Sequence, residues 1–209
     1  MKIFDHKLPL SAVILALSGC GMLQPVSPPS MKEYRLEAVN AAKVITYPAP
    51  TVSIDISIIR AAPGLDTKRM LYVQHPYQIE YYQHSAWQQK PTSMLMPLVV
   101  TAIEASGLFH VVLQSPDPIN ATYHLALELT QFEQDFTVHP SVVHFGLRAY
   151  LAENKTHTVV AWTDFDVKQN LLTEDAYGGV VASKLATTEA LQQLVQFCRL
   201  HIVQGNAAP

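Results

Sequence analysis

Val52, Ile54, Ile56 and Ile58 alternate with Ser53, Asp55 and Ser57, and a period of two marks a strand with one buried face. Pro63-Gly64 stops that run. Met70 to Val73 and Tyr77 to Tyr82 read as two further short strands, with His75-Pro76 as the turn of a hairpin. The period then changes. Leu95, Leu98, Val99, Ala102 and Ile103 share one face of a helix that Thr92 or Ser93 can cap, with Pro97 in or just after its first turn and Gly107 placed to end it. Phe109 to Leu113 follows as a strand.

Three longer strands come next. Tyr123, Leu125, Leu127 and Leu129 alternate with His124, Ala126, Glu128 and Thr130, and the phase slips before Phe132, which predicts a bulge or twist. Val143, Phe145, Leu147, Ala149 and Leu151 form the apolar face of the second, Asn154-Lys155 the turn, and Val159 to Val167 the third. From about Asp175 to Ile202 the apolar positions Val181, Leu185, Leu191, Leu194, Val195 and Cys198 predict a long amphipathic helix across the sheet. Strands, helix, strands, helix is the order of an α+β domain, here a single one over residues 31–204. Its mixed or antiparallel sheet is packed by two main helices, one mid-chain and one long and C-terminal, which is not the doubly wound nucleotide fold.

The N-terminus follows no such pattern. Lys2 and Lys7 precede a run of ten apolar or small residues, Leu8 to Leu17. A spanning helix needs roughly 20 residues, so a basic start and a short apolar middle read as a secretory signal peptide over residues 1–19. Leu17-Ser18-Gly19-Cys20 resembles the bacterial lipobox, and that resemblance implies an S-diacylglycerol and an N-acyl chain of palmitate type on Cys20. One acyl chain binds a membrane reversibly and two or more hold stably. Residue 21 is glycine; in enteric-type lipoproteins an aspartate there favours the inner membrane, so the resemblance implies the periplasmic face of the outer membrane. Pro25, Ser27, Pro28, Pro29 and Ser30 make residues 20–30 a tether, and 205–209 a tail.

Charge and cysteine use narrow the function classes. Loss of Lys2, Lys7 and Asp5 leaves twelve basic and sixteen acidic residues, a balance of −4, with no basic stripe for nucleic acid. With 15% charged and 49% hydrophobic residues the chain has ample core material. Acylation of Cys20 would leave Cys198 unpaired, and its helical phase makes it a small buried hydrophobe.

No motif carries catalysis. Eight histidines remain after His6 leaves, at 75, 84, 110, 124, 139, 144, 157 and 201, without HExxH or CxxC, so no metal and no cofactor beyond the covalent lipid is expected. His124 and His144 take solvent-facing strand positions, on adjacent strands if the order is simple. No GxSxG elbow or phosphate-binding glycine loop occurs, and Gly178-Gly179 reads as a loop or frayed helix start. Asp164 and Asp166 share a strand face and Glu174-Asp175 reads as helix N-terminal charge. A triad assembled from distant residues leaves no motif, which keeps an anchored periplasmic hydrolase as an alternative.

Tyr72, Tyr77, Tyr81, Tyr82 and Trp87 fall within sixteen positions. Alternation sends Tyr81 and Tyr82 to opposite faces, so at least one is exposed or interfacial, and Tyr77, Tyr81, Tyr82 and Trp87 are the candidate partner-binding surface. Gly64-Leu65-Asp66-Thr67-Lys68-Arg69-Met70-Leu71-Tyr72, Ile79-Glu80-Tyr81-Tyr82 and Trp87 with Pro91, behind Tyr34-Arg35-Leu36 and a lipobox, resemble the ABC-type transport auxiliary lipoproteins, which include the lipoprotein of the paraquat-inducible system. The resemblance covers residues 30 to 200. It implies a non-enzymatic outer-membrane docking part of an MCE-type system, in which an inner-membrane ABC pump and an MCE-domain protein bridge the periplasm and move lipids. It leaves open a homo-oligomer and a structural or regulatory role in the cell envelope.

Overall fold

A computed structural model of the chain describes residues 30–38, 50–114 and 120–205, which fall almost wholly in the unit Met31–Pro209. The signal peptide, Cys20, the tether apart from Ser30, and residues 206–209 lie outside the described residues. Among those described the order is β1 (Lys32–Tyr34), β2 (Ser53–Ile56), β3 (Arg60–Ala61), β4 (Arg69–His75), β5 (Gln78–Trp87), α1 (Pro91–Ala105), β6 (Val111–Gln114), β7 (Tyr123–Asp135), β8 (Val142–Glu153), β9 (Thr158–Asn170) and α2 (Ala176–Gly205). Over the described residues the fold is α+β, one mixed sheet with two helices, as the element order predicts.

β7 is the trunk of the sheet. Along one side it takes β8 antiparallel over its whole length, and β9 adds antiparallel to β8. Along the other side three strands meet it end to end, all parallel: β2 at Ile54↔Tyr123, β3 at Arg60↔Glu128 and β4 at Tyr72↔Gln134. β6 extends the sheet outside β2, while β5 and then β1 extend it outside β4. β9 is therefore one edge, and the opposite edge is shared by β6 and β1.

The expected slip in β7 is a bulge. Leu129 pairs with Leu147 and Gln131 with Gly146, so Thr130 has no ladder partner of its own. A Cβ at Gly146 would stand 2.5 Å from the Thr130 hydroxyl, so the glycine gives the bulge room. On either side the alternation holds: Leu125, Leu127, Leu129 and Phe132 meet Phe145, Leu147, Ala149 and Leu151 in one buried layer. Each such Leu or Phe contributes about 1.5–3 kcal/mol through area removed from water. Both helices pack against this sheet and against each other.

Several expectations need correction. The β2 strand ends at Ile56, and Ile58 is exposed while Ile59 is buried, because the chain changes phase before β3. α1 starts at Pro91 with Lys90 as N-cap and no side-chain cap, so Pro97 falls in its second turn on the exposed side. The hairpin turn is Pro76-Tyr77, with His75 closing β4 opposite Gln78. Leu185 is exposed, since the buried stripe of α2 runs through Ala182, Ala186, Ala190 and Leu194 instead. Gly178-Gly179 lies inside the first turns of α2. A Cβ on Gly179 would collide with the side chain of Gln134, so this glycine sets how closely the helix lies on the sheet.

Candidate functional site

The four aromatics singled out in the sequence do not form one surface. Trp87 is 4% exposed and stacks on Phe132 with ring centroids 5.3 Å apart, because a register shift between Tyr81 and Ala86 of β5 turns it into the core. It is removed from the candidate surface. Tyr82 points the same way, donating its hydroxyl to Gln134 Oε1 at 3.0 Å and packing 4.7 Å from the Tyr72 ring. Burial first, then Asp175 and Tyr72, push the Tyr82 phenol far above its ordinary range. Tyr72 donates to Glu80 Oε2 at 2.9 Å, and that bond raises its phenol too. Tyr81 takes the opposite face, where the Arg69 guanidinium lies 3.3 Å above its ring.

Tyr77 alone stands clear of the protein. It is fully exposed at the tip of the β4–β5 hairpin with φ of 69°. Pro followed by a left-handed residue is the type II arrangement, which normally places Gly or Asn at the second position. A tyrosine there costs about 1 kcal/mol in backbone strain.

The register brings two more loops to this end of the sheet. Val73 pairs with Asp135 and its carbonyl accepts from Phe136 N, so the hairpin and the β7–β8 loop lie together. Leu171 N donates to Ser141 O, and Ser141 Oγ donates to Glu174 Oε1 at 2.8 Å, which adds the β9–α2 loop. Asp175 caps α2 by accepting from Gly178 N at 2.7 Å. That bond, then Thr173, holds the carboxyl below its usual range. On these loops Val138 and Leu172 are exposed, Leu172 by 80%.

The sheet face turned away from the helices carries a second group. Tyr150 of β8 and Trp162 of β9 are register partners with rings nearly parallel and 6.3 Å apart, and Trp162 is 61% exposed. Beside them Arg148 grips Asp164 in a two-pronged pair, Nε to Oδ1 at 2.7 Å and Nη2 to Oδ2 at 3.1 Å, which lowers the Asp164 carboxyl. Trp162 was not among the sequence candidates. Its signal is a tryptophan in phase with Asp164 and Asp166, the polar side of β9.

The histidines divide between separate sites. His124 pairs with Asp55 at 2.6 Å near the start of β7, and Asn154 Nδ2 donates to the other oxygen of Asp55. His144 lies 3.4 Å from Asp135 at the far end of the same strands. Both rings are partly buried rather than solvent-facing, and His124 sits opposite Ala152 while His144 sits opposite Glu133, so one ion cannot join them. Burial raises the Asp135 carboxyl, but two bonds from Thr137, then His144 and Lys168, outweigh it and leave it lowered. Among the described residues no group of three or more His, Cys, Asp or Glu could hold a metal ion. Asp55–His124 is half of a relay, and the nearby hydroxyls of Ser53 and Thr122 are bonded to each other. Cys198 is buried, which pushes its thiol up to about 12.

A family model described as ABC-type transport auxiliary lipoprotein component matches residues 34–197. No curated protein matches the chain. Among solved structures, protein XCC0632 from Xanthomonas campestris is 24% identical with a TM-score of 0.73, over 85% of this chain and 100% of that one. An uncharacterized protein matches at 10% identity and a TM-score of 0.63, over 80% of this chain and 97% of that one. These two likenesses show the fold alone.

Proposed function

The chain belongs to the family of ABC-type transport auxiliary lipoproteins, and from that premise we propose that it is the outer-membrane docking component of an MCE-type lipid transport system. In this reading Cys20 carries the acyl chains that hold the domain on the periplasmic face, and the domain receives the MCE-domain protein whose other end meets the inner-membrane pump. The family match over most of the folded domain carries the reading. The lipobox-like tetrapeptide supports the anchor.

The domain acts by binding and not by catalysis. The exposed ring of Trp162 against Tyr150, flanked by the Arg148–Asp164 pair, has the composition of an interface centre: aromatic area with few rotatable bonds and an arginine beside it. β9 supplies a 13-residue strand at the sheet edge, an elongated platform for a protein partner.

Affinity purification of the tagged full chain from crosslinked envelope fractions tests this. The MCE-domain protein is expected in the eluate, with less recovered from a Trp162→Ala variant that keeps its membrane attachment. Cys20→Ala is expected to release the chain into the periplasm. Repeated purifications that never recover an MCE-domain protein would sink the proposal, and an unmodified Cys20 in the native host would sink the anchor.

A further inference from the structure

The two ends of the sheet differ in chemistry. At one, the tips of three loops carry Tyr77, Val138 and Leu172 exposed, and Ile79 follows the hairpin tip with more than half its surface in water. At the other, the β8–β9 turn is Asn154-Lys155-Thr156-His157. Exposed Val159 and Val160 follow that turn on β9 as Ile79 follows Tyr77 on β5, so the contrast between the ends lies in the loop tips themselves.

The first strand of the domain begins on the side of the apolar end. β1 is parallel to β5, with Lys32 opposite Ser85, and β5 starts at the hairpin tip with Gln78. β1 therefore runs away from the side of Tyr77, and its first residue, Lys32, is the one nearest that side. Seven strand residues separate the level of Gln78 from that of Ser85, roughly 24 Å at strand spacing. Twelve residues separate Cys20 from Lys32, and in a polyproline-like chain they span about 37 Å. That reach exceeds the distance to the tip, so a domain tethered at Cys20 can set its loop tips on the bilayer.

We propose that the loop end bearing Tyr77, Val138 and Leu172 is a membrane-contact surface that seats the domain on the leaflet holding the acyl chains. This rests on the reading of Cys20 as the lipid anchor. Tyr77 suits the task because a tyrosine ring sits at the boundary between headgroups and acyl chains with its hydroxyl wet. Charge does not carry the contact. The carboxylates of Glu80, Asp135, Glu174 and Asp175 outnumber the nearby ammonium groups of Lys32 and Lys168, so no basic cluster for anionic headgroups is present among the described residues there. Apolar insertion is the remaining force, and it needs no particular headgroup. Docked in this way, the domain points its polar β8–β9 turn away from the membrane.

The acylated mature chain, reconstituted in vesicles, tests the contact through tryptophan probes in a Trp162→Phe background. Tyr77→Trp and Leu172→Trp each report on the apolar end, and Thr156→Trp on the polar end. Lipids brominated at a shallow acyl position are expected to quench the first two several-fold more than the third, with aqueous iodide showing the reverse order. The order is expected to hold in zwitterionic and anionic vesicles alike and at high salt. Equal quenching at the three positions overturns the proposal, as does shielding that appears only when an MCE-domain protein or a higher density of the chain itself is supplied. Mass spectrometry of the N-terminus separates the two readings. A chain without acyl groups that fails to sediment with vesicles sinks both, whereas an acylated, vesicle-bound chain whose residue 77 stays open to iodide sinks the contact surface alone.

Discussion

Replacement of Gly179 by alanine tests how the C-terminal helix is seated. The added Cβ would overlap the side chain of Gln134, which is 4% exposed and holds the Tyr82 hydroxyl at 3.0 Å. Overpacking a filled site costs about 1–3 kcal/mol. Displacing Gln134 also breaks a buried hydrogen bond worth about 1 kcal/mol. Alanine returns about 1 kcal/mol of helix propensity over glycine. The net expectation is a destabilisation of about 1–3 kcal/mol, which lowers the urea midpoint by about 1 M. Trp87, stacked on Phe132 two positions from Gln134, supplies the fluorescence signal in a Trp162→Phe background. The decisive comparison is Gly179→Ala in a Gln134→Ala chain, where the obstacle is gone and the substitution should be neutral or slightly stabilising. A coupling of about 2 kcal/mol between the two positions is expected. An equal loss in both backgrounds, or no loss in the parent, would refute the close approach as the reason for this glycine.

Two further outcomes follow from titratable groups. Asp175→Ala should cost about 1 kcal/mol at neutral pH through the lost cap. Because the folded carboxyl is held below its ordinary value, that stability is present above the ordinary carboxylate value of about 4 and fades as pH falls through the lower folded value, so the gap between variant and parent in urea midpoint should persist at neutral pH and shrink only in acid below that ordinary value. Cys198, with its thiol raised to about 12 by burial, should resist a thiol reagent at pH 8 in the folded chain and react along the unfolding curve, and stoichiometric labelling of the native protein would contradict its place in the core.

The strands that the sequence made legible are those whose order follows from local pattern. Tyr123 to Leu129 alternates cleanly, and the slip before Phe132 is the bulge at Thr130; β8 repeats the alternation against it. The hairpin of β4 and β5 was legible because its partners are close in sequence, with only the turn displaced by one residue. The parallel seams were not, since β2 and β7 join residues 69 apart and nothing in Ser53 to Ile56 names the partner. α2 misled at Leu185 because alanines, Ala182, Ala186 and Ala190, form the buried stripe over its first half, before Leu191, Leu194 and Phe197 take over, and a hydrophobic count reads alanine weakly. Pro97 misled because the helix begins at Pro91, ahead of any side-chain cap, which leaves the proline in the second turn at the loss of one backbone hydrogen bond.

The candidate surface was misread for a related reason. Five aromatics within sixteen positions invite a single patch, but alternation divides Tyr81 from Tyr82, placing Tyr81 under Arg69, and a register shift between Tyr81 and Ala86 turns Trp87 inward beside Tyr82. The residues that share an end, Tyr77, Val138 and Leu172, are spread over 95 positions and meet only because β4, β7 and β9 all finish on the same side. Their individual signals are weak, since an exposed leucine or valine is ordinary on any surface. What gives them meaning is direction: β1 begins on their side, and the opposite turn is polar. The orientation of one three-residue strand, Lys32–Tyr34, says more about what the loop tips face than any motif in the chain.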